Sequence, residues 1–266
     1  MPARLEGQLV PKKFEDIIAE AFSIYRKHFL KLITIIALPL LIYYLIETIL
    51  NGAHWYNRGA EENDLSSYLL KSILSITSGL LLYPIEVGGM TRAVAGHYLE
   101  AQVDIVDAYD FAFKKYFYIL GTDLLAFLGL VLLSVTIICI PLAIFFVVAW
   151  LFNSQAAALQ RASPARALKT SSKLVKDNWW RVVEILFLSI LILLVIALVL
   201  GLFSLPLLFL APYMLLPVGT IILGPVGLIV TVLLYFDLRV RKEGYTLEQL
   251  RKEIYPESSP IPAIES

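Results

Sequence analysis

Charged residues are scarce in this chain. Only 17% of its 266 residues are Asp, Glu, Lys or Arg, whereas an ordinary soluble domain carries about 25%. Hydrophobic residues make up 59%, and the mean hydropathy is +0.76. These values exclude an ordinary soluble domain and indicate an integral membrane protein.

Groups that support catalysis or metal binding are also rare. The single cysteine, Cys139, cannot form an internal disulfide and has no basic activator near it in the sequence. The histidines His28, His54 and His97 are dispersed and match no metal-ligand spacing. No GxxxxGK[ST] phosphate loop or GxSxG elbow occurs. We therefore predict a protein that is not an enzyme and binds neither a metal nor a cofactor.

Long apolar regions predict an all-α, polytopic fold. A transmembrane helix needs roughly 20 mostly apolar residues, and the chain offers six such stretches. We predict one membrane domain over residues 1–254, with the first span retained as an anchor, and a disordered tail over 255–266. Three prolines in 205–217 predict a short segment that lies on or dips into the outer face. The predicted spans are 29–50, 69–91, 117–138, 141–160, 183–204 and 218–237.

The basic residues are distributed unevenly along the chain. Lys and Arg total 22, as do Asp and Glu, so net charge gives no reason to expect nucleic acid as a partner. Twenty of the bases flank the inner ends of the predicted spans, and only Arg58 and Lys71 lie on the other side. Since cytoplasmic loops carry the excess of Lys and Arg, both termini are predicted to be cytoplasmic. The expected location is the cytoplasmic (inner) membrane of a prokaryote.

The chain also shows weak self-similarity. Blocks 24–32, 112–120 and 174–182 align at the start of each odd-numbered span, with a base at the third position and an aromatic residue at the sixth. Blocks 85–93, 154–162 and 232–240 share an arginine at the eighth position. This pattern predicts three related helical hairpins, although membrane-flank composition alone also produces such matches.

Stretches of helical periodicity precede the odd-numbered spans. Residues 14–29, 105–113 and 163–178 alternate apolar and polar faces, which predicts cytoplasmic-side interfacial helices, the last with Ser163 as N-cap. Bases beside aromatic rings suit anionic lipid headgroups, although they also serve as plain topological anchors. The predicted headgroup residues are Arg26, Lys27, Lys114, Lys115, Lys173, Lys176, Trp179 and Trp180.

A carboxylate in the second span is the main candidate for a site. Glu86 lies six residues before Arg92, about 9 Å at the helical rise, and Gln155 has the same spacing from Arg161. We predict a substrate-binding group of Glu86, Asn153, Gln155 and Tyr83, in a helix broken near Pro84, Gly88 and Gly89. The alternative is that Glu86 only joins helices through hydrogen bonds. Asp123 and Glu184 are expected nearer the interface, beside Lys115 and Arg181.

Three segments carry a family resemblance: residues 163–183, 233–250 and 21–32. They resemble the membrane-domain family named after bacterial glycerophosphoryl diester phosphodiesterases. That resemblance implies a multi-span membrane module, but this chain contains no phosphodiesterase domain, so hydrolase activity is not implied.

Two functions fit these observations. The first is a non-catalytic membrane protein that binds or translocates a lipid or small solute through its polar site. The second is a membrane scaffold that docks protein partners through its basic cytoplasmic helices. Expected partners are therefore anionic membrane lipids, a small-molecule or lipid ligand, and a protein partner.

Overall fold

The computed structural model describes residues 9–58, 65–102, 104–135, 139–208 and 215–256. Within these ranges the chain is helical and contains no strand. The helices are α1 (Phe14–Lys27), α2 (Phe29–Arg58), α3 (Leu65–Tyr98), α4 (Ile105–Ser134), α5 (Ile140–Ala149), α6 (Asn153–Gln160), α7 (Pro164–Val175), α8 (Trp179–Leu208), α9 (Leu215–Glu243) and α10 (Leu247–Ile254).

The prediction of six spans is confirmed by length and composition. The segments apolar enough to cross a membrane are Phe29–Ile46, Ser72–Tyr98, Ile105–Ser134, Ile140–Gln160, Trp179–Leu202 and Val218–Glu243. The third begins earlier than predicted, because 105–113 continues directly into it as part of α4. In the predicted outer segment 205–217, α8 extends to Leu208 and α9 begins at Leu215, while 209–214 lie outside the described residues.

Helix α3 is continuous where a break was predicted. It passes through Pro84 without interruption, since a proline removes only one backbone donor and the rest of a long helix remains bonded. Gly88 and Gly89 instead allow close packing. A Cβ on Gly88 would lie 2.9 Å from Ala112 Cα, and one on Gly89 would lie 2.9 Å from Ile35 Cγ2. The predicted break near Pro84, Gly88 and Gly89 was therefore wrong.

The break lies in the fourth span instead. Helix α5 ends at Ala149 and α6 begins at Asn153. The Ser171 hydroxyl of α7 accepts a hydrogen bond from the Phe152 amide at 3.1 Å and donates one to the Ala149 carbonyl at 2.8 Å. Ser171 is fully buried, so it satisfies two backbone groups that the break would otherwise leave unpaired.

Replacing Ser171 by alanine tests this bridge. We expect Ser171→Ala to lower the free energy of unfolding by about 1–3 kcal/mol, because two buried backbone groups lose their partner. Thermal unfolding of the purified protein in detergent measures the loss. Ser172→Ala is the matched control, since the Ser172 hydroxyl donates to the Leu168 carbonyl of its own helix and bridges no break. Equal stability of the two variants would contradict the bridging role.

Helix α1 packs along α9. The Lys12 amide, just before α1, donates to Asp237 at 2.6 Å, and the Tyr25 hydroxyl near its end donates to the Ile222 carbonyl at 2.6 Å. Ile17, Ala21 and Ile24 of α1 are fully buried. The apolar face of α1, from which an interfacial helix was predicted, is therefore covered by neighbouring helices of the protein.

Several bases form ion pairs or hydrogen bonds at one end of the molecule, which we name the basic end; they are Lys12, Arg92, Arg181 and Arg241. Asp237, whose side chain is fully buried, pairs with Arg181 at 3.1 Å and with Arg241 at 2.9 Å. The Arg92 guanidinium pairs with Asp107 and also donates to the Tyr255 hydroxyl at 2.6 Å. Lys12 and Tyr255, near the two limits of the described chain, thus lie at the same end, as an even number of spans requires. Tyr255 was assigned to the predicted tail; residues 257–266 lie outside the described residues.

Candidate functional site

The predicted substrate-binding residues fall into two groups. Tyr83 and Glu86 lie on α3, whereas Asn153 and Gln155 lie on α6, which packs against α3. Among the described residues, Glu86 forms no hydrogen bond or ion pair with Asn153 or Gln155. Glu86 and Gln155 each lie six residues before an arginine, but this equal spacing does not bring their side chains into contact.

A buried network surrounds the start of α6. The Ser154 hydroxyl lies 2.6 Å from Asp123 Oδ1 and 2.9 Å from Asn153 Oδ1, and its single hydrogen serves one of them at a time. Asn153 Oδ1 also accepts from the Ser154 amide at 2.6 Å. Asp123 Oδ2 and Gln155 Oε1 are buried without a hydrogen-bond partner among the described residues. Unpaired buried oxygens are costly, which makes this network a candidate binding site.

Asp123 is the residue that sequence reasoning misplaced. It was expected beside Lys115 near the interface, but the two lie eight residues apart on α4, about 12 Å at the helical rise. Its carboxylate contacts Ser154 of α6 instead. The other expected pair is also absent among the described residues: Glu184 is exposed, and Arg181 bonds to Asp237.

The packing of α3 on α4 connects the two groups. The Tyr116 hydroxyl donates to the Leu81 carbonyl at 3.0 Å, and Gly88 faces Ala112. In this antiparallel register Asp123 lies near the level of residue 77 of α3, about 9 Å before Tyr83 at the helical rise, and the Tyr83 side chain extends toward it. Glu86 follows Tyr83 by three residues on the same helix face. The Tyr83 hydroxyl accordingly lies within electrostatic reach of both carboxylates.

The polar side chains on α3 are partly accessible, whereas those on α4 and α6 are buried. Tyr83 is 41% exposed and Glu86 is half-buried, whereas Asp123 is 8% exposed and Gln155 is 1% exposed. We name Tyr83, Glu86, Asp123, Asn153, Ser154 and Gln155 the polar seam. Four of these six residues were predicted from the sequence, whereas the contact between Asp123 and Ser154 was not.

The predicted headgroup residues occupy different environments. Lys114 is exposed and pairs with Asp110 at 2.6 Å, whereas its neighbour Lys115 is 4% exposed, with its ammonium 5.4 Å from the Phe111 ring. Trp179 is half-buried and stacks on Phe145, while Trp180 is 78% exposed. Lys115 is therefore a core residue. The exposed bases of the predicted set are Arg26, Lys27, Lys114, Lys173 and Lys176.

Helix α7 presents an exposed row of bases, which we name the α7 stripe: Arg166, Lys169, Lys173 and Lys176. Their spacing of three, four and three residues places them on one face. None forms an ion pair with a described residue. The nearby Asp177 is already bonded to Lys242 at 2.8 Å, and this contact lowers the pKa of the Asp177 carboxyl. The stripe therefore carries four positive charges, none of which is in an ion pair with a described carboxylate.

A second cluster, which sequence analysis did not find, fixes α10 to the end of α9. Arg239 donates to both carboxylate oxygens of Glu253, at 3.0 and 2.9 Å, and to Glu243 at 2.9 Å. Its guanidinium lies 3.7 Å from the centre of the Tyr245 ring. Burial, followed by the charge of Glu253, raises the pKa of the Tyr245 hydroxyl. The cluster is fully paired and therefore structural.

No described set of three His, Cys, Asp or Glu side chains could hold a metal ion. No family model, curated protein or solved structure matches the chain.

Proposed function

We propose that this protein is a non-catalytic, multi-pass protein of a prokaryotic cytoplasmic membrane that binds or translocates a lipid or small solute at the polar seam. The basic end is the cytoplasmic side, in accordance with the distribution of Lys and Arg, and both termini are cytoplasmic. The three hairpins derive from an internal repeat, the second having acquired the broken helix.

One observation carries the proposal. Asp123 Oδ2 and Gln155 Oε1 are buried within segments apolar enough to span a membrane, and neither oxygen has a hydrogen-bond partner among the described residues. Polar side chains in such segments are expensive to insert and are typical of substrate pathways. The adjacent break between α5 and α6 supports the same interpretation, because transporters bind solutes where a helix is interrupted.

Native mass spectrometry of the protein extracted with its membrane lipids tests this function. We expect a retained small molecule or lipid, and we expect Asp123→Asn to reduce its occupancy about tenfold, the ratio produced by loss of one charge-assisted contact. Asp110→Asn is the control, since Asp110 is exposed and its one ion pair within the described part of the chain is with Lys114. A protein that never retains a ligand, or equal occupancy in both variants, would overturn the proposal.

The α7 stripe supports a second candidate function, a scaffold that docks an acidic partner protein. Replacing Lys173 and Lys176 by glutamine would then abolish function, whereas Asp123→Asn would leave it intact. Crosslinking in membranes would also capture a reproducible protein partner. In the first function, the same stripe contacts anionic lipid headgroups beside the exposed Trp180.

A further inference from the structure

The buried network at the start of α6 lacks one hydrogen when Asp123 is ionised. Asn153 Oδ1 accepts from the Ser154 amide at 2.6 Å, which fixes this atom as the oxygen, because a rotated amide would place two donors against each other. The Ser154 hydroxyl therefore lies between two acceptors, Asp123 Oδ1 at 2.6 Å and Asn153 Oδ1 at 2.9 Å. The single Ser154 hydrogen satisfies one of these contacts and leaves two oxygens in contact without a hydrogen.

A proton on Asp123 completes the network. Asp123 Oδ1 then donates to the Ser154 hydroxyl, and that hydroxyl donates to Asn153 Oδ1, so each contact has its hydrogen. The proton belongs on Oδ1, because Oδ2 has no hydrogen-bond partner among the described residues. Protonation also removes a charge that would be costly at 8% exposure. The buried Asp237 carboxylate, in contrast, pairs with two arginines.

No charged neighbour among the described side chains takes the place of this proton. Helices α5 and α6 carry no titratable side chain. On α3, the Tyr83 hydroxyl is within electrostatic reach, and Glu86 lies three residues further along. The bases of α7 lie in the exposed α7 stripe, and α2 contacts α4 at Tyr109, far from Asp123 along the helix. On α4 itself, the nearest base is Lys115. The carboxyl thus depends on its own proton.

The position of Asp123 also tolerates loss of the proton. Asn153 and Ser154 are the first two residues of α6, so Asp123 contacts the amino-terminal end of that helix. Backbone amides at a helix N-terminus favour a negative charge. The same end of α6 follows the break after α5, and transporters hold coupling ions where a helix is interrupted. Helix α6 therefore offsets part of the cost of an ionised Asp123, which makes the proton exchangeable.

We propose that Asp123 binds an exchangeable proton, and that a ligand entering the polar seam displaces it. This inference rests on the proposed function and names the ion to which ligand binding is coupled. The bond between Asp123 Oδ1 and its hydrogen breaks, both electrons stay on the oxygen, the proton passes to water, and the carboxylate accepts a hydrogen bond from the ligand. A divalent metal ion fits less well, because it takes at least six oxygen ligands, and the group of Asp123, Asn153 and Ser154 contains one carboxylate.

Infrared difference spectroscopy of the purified full chain in detergent tests for the proton. We expect the C=O band of a protonated carboxyl at neutral pH and its loss at alkaline pH, when Asp123 ionises. Asp123→Asn should lack this band, whereas Asp110→Asn, which changes an exposed carboxyl paired with Lys114, should retain it. Ser154→Ala should shift the band, because the acid loses the oxygen to which it donates. This last variant keeps the test decisive if Asp123→Asn does not fold.

Native mass spectrometry of the same proteins at acid and alkaline pH tests the exchange. The molecule that copurifies with the parent protein is the probe. Because acid keeps the proton on Asp123, we expect the occupancy of the parent protein to rise about tenfold from acid to alkaline pH, the ratio produced by one charge-assisted contact. In Asp123→Asn the occupancy should be low at both pH values, since an amide does not ionise.

These two measurements distinguish failure of this inference from failure of the proposed function. A parent protein without the carboxyl band, or a band that persists unchanged in Asp123→Asn, overturns the proton site, while a retained ligand still supports the proposed function. Occupancy that does not change with pH overturns the exchange. A band that behaves as expected in a protein that retains no molecule upholds the proton site and overturns the proposed function together with the coupling.

Discussion

Replacement of Gly88 by valine is expected to prevent α3 and α4 from packing together. A Cβ at this position would lie 2.9 Å from Ala112 Cα and 3.0 Å from Ala112 Cβ, so the helices would have to separate. Overpacking of a tight core costs about 1–3 kcal/mol, and we expect that loss for Gly88→Ala. The larger valine should exceed it, because the obstacle includes backbone and cannot rotate away.

Gly79→Val is the matched control for this prediction. Gly79 lies on the same helix, and a Cβ there would meet nothing within 4 Å. The yield of monodisperse protein in detergent and its thermal unfolding midpoint measure both effects. Equal yields and equal unfolding midpoints for Gly88→Val and Gly79→Val would contradict a close contact between α3 and α4 at Gly88. Since this contact sets how α4, which carries Asp123, lies against α3, Gly88→Ala should also weaken any ligand bound at the polar seam.

Removal of Arg239 is the second change with a large expected effect. Its side chain is 8% exposed and pairs with Glu253 and Glu243. Removing one member of a buried ion pair costs about 3–5 kcal/mol, because it leaves the other charge uncompensated. We therefore expect Arg239→Met to lower the thermal unfolding midpoint strongly and to release α10 from α9.

A double substitution distinguishes charge pairing from simple packing. Arg239→Met combined with Glu253→Met should be more stable than Arg239→Met alone, because the less exposed of the two acidic partners no longer carries an unpaired charge, while Glu243 is 41% exposed and can be solvated. Limited proteolysis reports release of α10, and Arg251→Met, which changes an exposed arginine of α10, should leave cleavage unchanged. Additive losses in the double variant would show that the pairing does not hold the two helices together.

The positions of the spans could be predicted because membrane insertion depends on local composition. About 20 apolar residues are sufficient to cross a membrane regardless of what surrounds them, so six spans could be found without knowing their contacts. Helix α7 was predicted for a similar reason, since Ser163 and Pro164 are local signals for a helix start. Ser163 is the N-cap residue, although its side chain makes no capping hydrogen bond.

The helix break and the seam were harder to predict, because both depend on neighbouring helices. Pro84 indicated a break that α3 does not have, and nothing in 150–152 marks the break that separates α5 from α6. Ser171, which lies on α7, stabilises that break, and no local sequence pattern indicates this contact. Likewise, Asp123 contacts Ser154, 31 residues further along the chain, rather than the base nearer to it in sequence.

By itself, the sequence determined an all-helical chain with six segments apolar enough for a membrane and a strong bias of bases toward one side, because hydropathy and charge act residue by residue. Only the tertiary structure decided that Lys114 is exposed whereas Lys115 is buried in the core. It also decided that Glu86 has no partner in α6 and that Asp123 joins α4 to α6. Those outcomes follow from which helix faces meet, and a helix face acquires a partner only when the whole bundle has packed.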